Sequence, residues 1–197
     1  MALSDFDTPS EWADDLDRRW PERKMLQTLL VDTIRREYEQ RPQTRLLELG
    51  IGDGRLLQSI SNVLPNAHLI GVDIQSVLVE HASQIIEQGD FREHDLNDTA
   101  WWSTLNQSID AAFSLQSFHD LGGYEALRNI YQRIHEVLAP GGRLLNADFV
   151  VPQAHDNPDK PRRFAYSVHE ALLQEIGFSE VACLGSAGDL ACVSARK

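Results

Sequence analysis

The sequence predicts a three-layer α/β fold, in which a doubly wound and mostly parallel seven-stranded sheet ends in an antiparallel hairpin. Between Arg45 and about Val151, short apolar runs alternate with stretches of helical spacing. Such alternation produces right-handed crossovers and a parallel sheet with helices on both faces. Near the end of the chain, only Gly185-Ser186-Ala187-Gly188 separates two apolar runs. Because a parallel crossover needs a dozen residues or more, these two strands must be antiparallel.

Ahead of the first predicted strand, an amphipathic helix is predicted from about Pro21 to Gln40. Apolar side chains recur there at steps of three and four, at Met25, Leu26, Leu29, Leu30, Ile34 and Tyr38. Pro21 suits the first helical turn, and Pro42 closes the helix. Trp12 and Trp20 lie in a charged segment without such spacing.

The body of the chain then alternates strand and helix. Apolar runs predict the strands Arg45–Leu49, His68–Asp73, Phe91–Leu96, Ile109–Leu115 and Gly142–Val151. One-sided apolar spacing predicts the helices Arg55–Leu64, Ser76–Gln88 and Tyr124–Leu138, with Ser76 as a cap and Gly89 as a stop signal. A turn at Ala139-Pro140-Gly141-Gly142 leads into the fifth strand. A last helix, Ser167–Ile176, precedes the hairpin strands Phe178–Leu184 and Asp189–Ala195.

Charge and cysteine content exclude several classes of protein. Thirty acidic residues against eighteen Lys and Arg give a net charge of −12, which disfavours nucleic acid and anionic membranes because both attract clustered cations. Cys183 and Cys192 are the only cysteines and form no metal-ligand or disulfide pattern. The N-terminus lacks the basic and apolar stretches of an export signal. We therefore expect a cytoplasmic protein.

The strongest local signal is the loop Glu48-Leu49-Gly50-Ile51-Gly52-Asp53-Gly54, between a strand and a helix. Glycines there let the backbone turn tightly and approach a ligand closely. A dinucleotide-binding fingerprint needs a third glycine three positions after the second, where this chain has Arg55. No Gly-Lys-Ser/Thr follows, so a P-loop is excluded as well. What remains is an acid followed by glycines at alternate positions.

This pattern resembles the first motif of the class I S-adenosylmethionine-dependent methyltransferases, matched here by Glu48, Gly50, Gly52 and Gly54. The resemblance covers about Leu46 to Leu145. It implies a Rossmann-like methyltransferase fold, with S-adenosylmethionine as cofactor and S-adenosylhomocysteine as product. In that family the acid orders the loop and touches the methionyl amine of the cofactor through backbone or water.

Two further stretches match this family. Asp73 lies nineteen residues past Gly54 and corresponds to the acid that pairs with both ribose hydroxyls, a charge-assisted arrangement. The resemblance then implies that Ile74 packs on the adenine face. The run from Val137 to Leu144 is similar to the turn that precedes the family's fifth strand.

The resemblance implies cofactor contacts after the third and fourth strands as well. Asp95, with the Leu96 backbone amide beside it, is placed near the adenine amino group, and the alternative is a solvated loop acid. Leu115 and Gln116 end the fourth strand beside the methionine part of the cofactor. The predicted cofactor site therefore uses side chains and backbone from four successive loops.

Methyl transfer from a sulfonium is an in-line displacement, so the protein mainly positions the acceptor and excludes water. A catalytic base is optional. Among Gln116, His119, Asp120 and Tyr124, the candidate base is His119, because its ordinary pKa lies near working pH. The alternative is a histidine that caps the next helix or lines the pocket.

Other motifs of the family are absent. Family members that methylate amino groups of nucleobases or glutamine carry an Asn/Asp-Pro-Pro-aromatic motif. This chain has Ser114-Leu115-Gln116-Ser117 at that place. Metal-dependent members use acids after strand four and an Asp-Asn pair after strand five, where this chain has Gln116 and Asp148-Phe149. One possible ligand of three does not make a magnesium site, and we predict that no metal takes part.

The resemblance implies a methyltransferase that acts on an oxygen or nitrogen of a small-molecule metabolite. Two alternatives stay open: a protein or RNA methyltransferase with an acidic surface, and a catalytically silent module of the same fold. The intact Gly50, Gly52 and Asp73 argue against the silent module. The oligomeric state stays open.

The chain divides by pattern into an N-terminal helical cap or lid, residues 1–43, and the cofactor-binding domain, residues 44–197. Within that domain, residues 152–165 form a polar and proline-rich lid loop. We expect substrate choice to reside in the cap and in this loop, where Arg162, Arg163 and Phe164 could meet an anionic or planar substrate. For Trp101-Trp102, packing at a helix start is favoured over an acceptor pocket.

Overall fold

The computed structural model of the chain describes residues 3–41, 43–105, 108–151 and 163–197. Pro42, Arg162 and most of the predicted lid loop lie outside the described residues. Within these ranges the α-helices are α1 (Pro9–Arg19), α2 (Arg23–Tyr38), α3 (Arg55–Val63), α4 (Ser76–Ile85), α5 (Tyr124–Val137) and α6 (Tyr166–Ile176). Short 3-10 helices cover Leu3–Asp5, Trp101–Thr104 and Phe118–Asp120.

The strands in these ranges form a mostly parallel sheet. They are β1 (Arg45–Leu49), β2 (His68–Asp73), β3 (Asp90–Glu93), β4 (Ile109–Leu115), β5 (Leu138–Val151), β6 (Phe164–Ala165), β7 (Ser179–Ala187) and β8 (Leu190–Arg196). The spatial order is β3-β2-β1-β4-β5-β8-β7, parallel as far as β5, with β8 antiparallel to both of its neighbours. The two-residue β6, which the sequence did not predict, pairs with the end of β5. The predicted fold class is confirmed.

Helices cover both faces of this sheet because successive side chains of each strand point to opposite sides. On β1, Leu46 packs with α2 and α3, whereas Leu47 and Leu49 pack with α5 and α6. The buried residues of α2 belong to the first of these cores, so α2 is part of the packed structure of the sheet. No helix in the described ranges is both long and apolar enough to cross a bilayer.

Some local predictions were wrong. Met25, one of the apolar residues whose spacing predicted the amphipathic helix α2, is 44% exposed. Ser76 is the first residue of α4, not its cap, and α4 ends at Ile85. The predicted turn before β5 lies inside that strand, where the pairing with β4 shifts register and Gly141 has a φ of +76°.

Helix α1 is the largest departure from the sequence prediction, which left this charged segment without a helix. Its start follows the usual rules: the Thr8 hydroxyl accepts a hydrogen bond from the Glu11 amide at 3.2 Å, and Pro9 occupies the first turn. Its buried positions include Asp15 and Asp17 besides Ala13. Because acids occupy a face that apolar residues usually fill, the hydrophobic spacing that marks a helix is missing.

Candidate active site

A cavity of about 440 Å³ opens at the carboxyl end of the parallel strands. It lies where the strand order reverses between β1 and β4, which is the usual ligand position in an open α/β sheet. The loops after β1, β2 and β4 form one wall, and α1 with the start of α2 forms the other. We call these the sheet wall and the helix wall.

The sheet wall depends on a close approach between two loops. Gly50 has a φ of +76°, and a Cβ atom there would lie 2.1 Å from Ser117 Oγ, in the loop after β4. The amides of Gly50 and Ile51 both donate to the Val72 carbonyl, at 2.8 and 3.0 Å. Only glycine fits this position, so the motif fixes how the loops after β1 and β4 meet.

Asp73 stands at the end of β2 with both carboxylate oxygens turned to backbone amides. Oδ2 accepts from Gly52 N and Oδ1 from Gln75 N, each at 3.0 Å. Burial raises the pKa of Asp73, and the amide hydrogen bonds oppose that shift. The next residue, Ile74, is 58% exposed and also lines the cavity. The Asp73 carboxylate can accept further hydrogen bonds, and the exposed Ile74 side chain can pack against a flat ring. Together they suit a ligand in which hydroxyl groups lie next to such a ring.

Three residues predicted for the cofactor site do not line the cavity among the described residues. Gly54 lies at the start of α3, where a Cβ would come 2.9 Å from the Ala82 Cβ. Asp95 accepts from the Asn97 amide at 2.8 Å, and its carbonyl accepts from the Trp101 indole. Leu96 is buried in the core on the α5 side. Gly54 thus allows close packing between the start of α3 and Ala82. Asp95 stabilises the turn that leads to Asn97.

A buried ionisable group lies at the back of the cavity. Glu48 is 1% exposed, and its Oε2 has no hydrogen-bond partner among the described residues. Burial raises the pKa of Glu48 well above its ordinary value, the Asp53 charge raises it further, and Arg23 opposes both. Gln116, which has a φ of +54°, likewise leaves a buried Nε2 without a partner in the described part of the chain.

Arg23, at the start of α2, faces these two residues and was missed by sequence reasoning. It is 8% exposed and lines the cavity. Its Nε donates to Asp17 Oδ1 and its Nη1 to Gln116 Oε1, both at 3.1 Å. Burial lowers its pKa, and the nearby Asp17 carboxylate opposes that shift. One arginine at a helix start carries no pattern that could have revealed it.

The helix wall is fastened to the sheet wall by Arg55. Its guanidinium reaches Asp53 at 2.7 Å in the loop after β1, and Asp14 and Asp17 of α1 at 3.0 and 3.3 Å. Trp12 of α1 lies over the same loop, 3.5 Å from where a Cβ of Gly52 would be. The residue that excluded a dinucleotide fingerprint therefore holds the first helix across the cavity.

His119, in the 3-10 helix after β4, lines the cavity beside Phe149. Its Nδ1 lies 2.8 Å from Asp148 Oδ1, and its amide donates to Asp148 Oδ2 at 3.0 Å. Burial alone would lower the pKa of His119, but the hydrogen bond and charge of the buried Asp148 outweigh it, so the pKa is raised. The other ring nitrogen, Nε2, lies 3.5 Å from Asp120 Oδ2, and the charge of that carboxylate raises the pKa of His119 as well.

Aromatic side chains surround the far end of the cavity. Trp20 meets the Phe149 ring edge-on at 5.4 Å, and the Arg163 guanidinium lies 3.5 Å from the centre of that ring. Trp101 and Trp102 stack on each other inside the α5-side core, so packing is confirmed as their role. Tyr124, another candidate after β4, is exposed and does not line the cavity.

Comparison with known proteins decides the family. A family model described as a methyltransferase domain matches residues 47–144, which include the loop after β1, Asp73 and His119. The chain belongs to the class I methyltransferase family. The match ends before Asp148 and begins after Arg23, so the methyltransferase domain model leaves both of these site residues outside its range.

Curated relatives of this chain are distant. Trans-aconitate 2-methyltransferase of Variovorax paradoxus is 27% identical over 117 residues, 59% of this chain and 40% of that protein. Malonyl-[acyl-carrier protein] O-methyltransferase of Bacillus cereus is 27% identical over 116 residues, 57% of this chain and 41% of that protein. The chain thus spans about two fifths of the length of these relatives. Streptomyces venezuelae DesVI shares the fold with a TM-score of 0.73 and 15% identity, over 96% of this chain and 99% of that one.

Proposed function

We propose that the protein transfers the methyl group of S-adenosylmethionine to an oxygen or nitrogen of a small-molecule acceptor. The observation that carries this proposal is one cavity that combines the loop after β1 and Asp73 with a histidine-carboxylate pair. The first two features suit a nucleoside, and the third suits removal of a proton from an acceptor. Family membership supports the same activity.

The cavity fits this cofactor at both ends. The buried Glu48 Oε2 and Gln116 Nε2 lack partners among the described residues, so a ligand with its own donor and acceptor would complete them. Asp73 would hold the ribose hydroxyls, and Ile74 would cover the adenine face. Gly50 and Gly52 keep side chains away from the space between these contacts.

When bound, S-adenosylmethionine supplies an electrophilic methyl group on a positively charged sulfur. The residues of this chain then have three tasks, which are to align the acceptor, to exclude water and to accept the acceptor's proton. His119 Nε2 is the proton acceptor, and Asp148 fixes the ring and stabilises the imidazolium that forms. Trp12 and α1 cover the loop after β1 and limit the access of water.

Two acceptor types have separate support. A hydroxyl or amine carries a proton that His119 can take, so the His119–Asp148 pair favours these acceptors. The two curated relatives are named for trans-aconitate and a malonyl thioester, both carboxylic acids. A carboxylate is already deprotonated near neutral pH, so it needs no base. Arg163 lies over the Phe149 ring, and its charge acts on His119, so it could orient such an anion.

Calorimetric titration with S-adenosylmethionine and S-adenosylhomocysteine tests the cofactor assignment. Asp73→Asn should weaken both by about 1–3 kcal/mol, because charged hydrogen bonds are lost. Asp98→Asn, a loop aspartate that accepts from the Ala100 amide, is the matched control. Asp95→Asn should behave like this control, since Asp95 does not line the cavity. If the folded wild type binds neither ligand, the proposal fails and the silent module becomes the better reading.

Transfer of a labelled methyl group then separates the acceptors. Pools of phenols, hydroxy acids, amines and polycarboxylic acids would be compared between wild type and His119→Gln. Loss of transfer in His119→Gln supports a protonated acceptor. Transfer to a carboxylic acid that survives the substitution supports the carboxylate acceptor and removes the role of His119 as base. Transfer confined to protein or RNA added as acceptor would contradict the small-molecule assignment.

A further inference from the structure

We propose that Arg23 binds the carboxylate at the amino-acid end of the cofactor, so that helix α2 supplies a cofactor ligand to the sheet wall. This inference rests on the proposed function. It assigns a role to a residue that lies outside residues 47–144, the range matched by the family model.

The first argument is position. Arg23 lines the same cavity as Glu48 and Gln116, and it is nearly as buried as an apolar core residue. Burying a guanidinium is unfavourable unless charges and hydrogen bonds compensate for the lost water. Asp17 supplies one such partner and the Gln116 carbonyl oxygen another. The remaining nitrogen, Nη2, has no hydrogen bond to any residue that the structure describes.

The second argument is chemical complementarity. An amino-acid group carries an ammonium, which only donates hydrogen bonds, and a carboxylate, which only accepts them. Glu48 Oε2 is a buried acceptor without a partner, and Gln116 Nε2 is a buried donor without a partner, among the described residues. With Arg23 beside Gln116, the site offers one acceptor and a pair of donors. This is the hydrogen-bond complement of an amino acid.

The third argument separates ligand binding from a purely structural role. Asp17 also pairs with Arg55 at 3.3 Å, so α1 stays attached to the sheet wall without Arg23. An arginine that served only this attachment would not need to reach Gln116. Gln116 itself holds a left-handed backbone conformation, with a φ of +54°, that is uncommon outside glycine and is often found at functional sites.

The test compares two ligands that differ by one carboxylate, S-adenosylhomocysteine and its decarboxylated form. Wild type should prefer the first by about 10- to 100-fold, the effect of hydrogen bonds to a charged group. Arg23→Gln should bind both ligands about equally. Arg35→Gln, an exposed arginine of the same helix, should keep the wild-type preference. Glu48→Gln should weaken both ligands alike, since both retain the ammonium.

Several results would overturn the assignment. A wild type without preference, or an Arg23→Gln variant that keeps the full preference, shows that Arg23 does not read the carboxylate. An equal loss of both ligands in Arg23→Gln shows a structural role instead. Failure of the wild type to bind either ligand rejects the proposed function itself, which is a separate outcome. If Arg23→Gln does not fold, the double variant Asp17→Asn, Arg23→Gln removes the leftover buried charge and is tested in the same way.

Discussion

The two walls of the cavity are held in place by different forces. The sheet wall follows from strand register and close packing, since the loops after β1, β2 and β4 begin where buried apolar strands end. The position of α1 in the helix wall depends on salt bridges, because Arg55 and Arg23 pair with aspartates of α1. Apolar packing has no charge for salt to screen, whereas the partly exposed pair of Arg55 with Asp14 is weakened by salt. The same site therefore combines a wall whose position is set by packing with a wall whose position responds to salt.

The largest expected effect breaks the sheet wall. Gly50→Ala should destabilise the protein by about 2–4 kcal/mol, from a left-handed backbone and overpacking together. Gly141→Ala is the matched control, because it has the same φ of +76° but nothing within 4 Å of the added Cβ. The difference between the two in urea denaturation isolates the clash with Ser117. Equal losses would mean that the two loops do not meet closely.

The next effect concerns His119, the proposed proton acceptor in the sheet wall. His119 accepts a proton only when neutral, that is, above its pKa, which Asp148 raises from the ordinary 6.5. Asp148→Asn removes that hydrogen bond and charge, so burial is opposed less strongly, by the Asp120 carboxylate, and the pKa should fall. Titration of the imidazole by NMR measures this directly, with His119→Gln assigning the resonance. An unchanged midpoint would show that Asp148 does not tune the base.

A smaller effect loosens the helix wall. Arg55→Gln should cost about 1 kcal/mol of stability, since the pair is partly exposed, and should speed the release of S-adenosylhomocysteine. Raising the salt concentration should speed release from wild type and leave Arg55→Gln less affected. Arg35→Gln serves as the surface control. Identical salt dependence in both proteins would contradict a wall held by charge.

The smallest effect is a gain of stability. The pKa of Glu48 is higher in the folded protein than in the unfolded chain, so as the pH rises past 4.5 Glu48 loses its proton first in the unfolded chain. The free energy of unfolding therefore falls with pH until Glu48 also ionises in the folded protein. Glu48→Gln lacks this loss and should melt a few degrees higher at pH 8 but not at pH 4, with about 2–4 °C expected per kcal/mol. Ligand-free thermal melts check this. A variant that melts lower at pH 8 would refute the sign.

Sequence alone could predict most of the sheet wall because its signals are local. The bounds of β4 were predicted without error, and Gly50, Gly52, Asp73 and Gln116 line the cavity as expected. In the helix wall, α2 was predicted but α1 was not, because α1 buries aspartates, which leave no hydrophobic period. Asp148 was considered only as a metal ligand, since its pairing with His119 follows from the register that sets β5 beside β4. Contacts between residues far apart in sequence leave no local trace.

Asp148 contacts both His119 and Phe149. Its carboxylate accepts from the backbone amides of His119 and Phe149 as well as holding the imidazole. One carboxylate therefore fixes both the proposed base and the backbone that carries the Phe149 ring. During evolution toward a new acceptor, a substitution that reshapes the pocket around Phe149 would also change proton transfer, so selectivity and turnover would be inherited together.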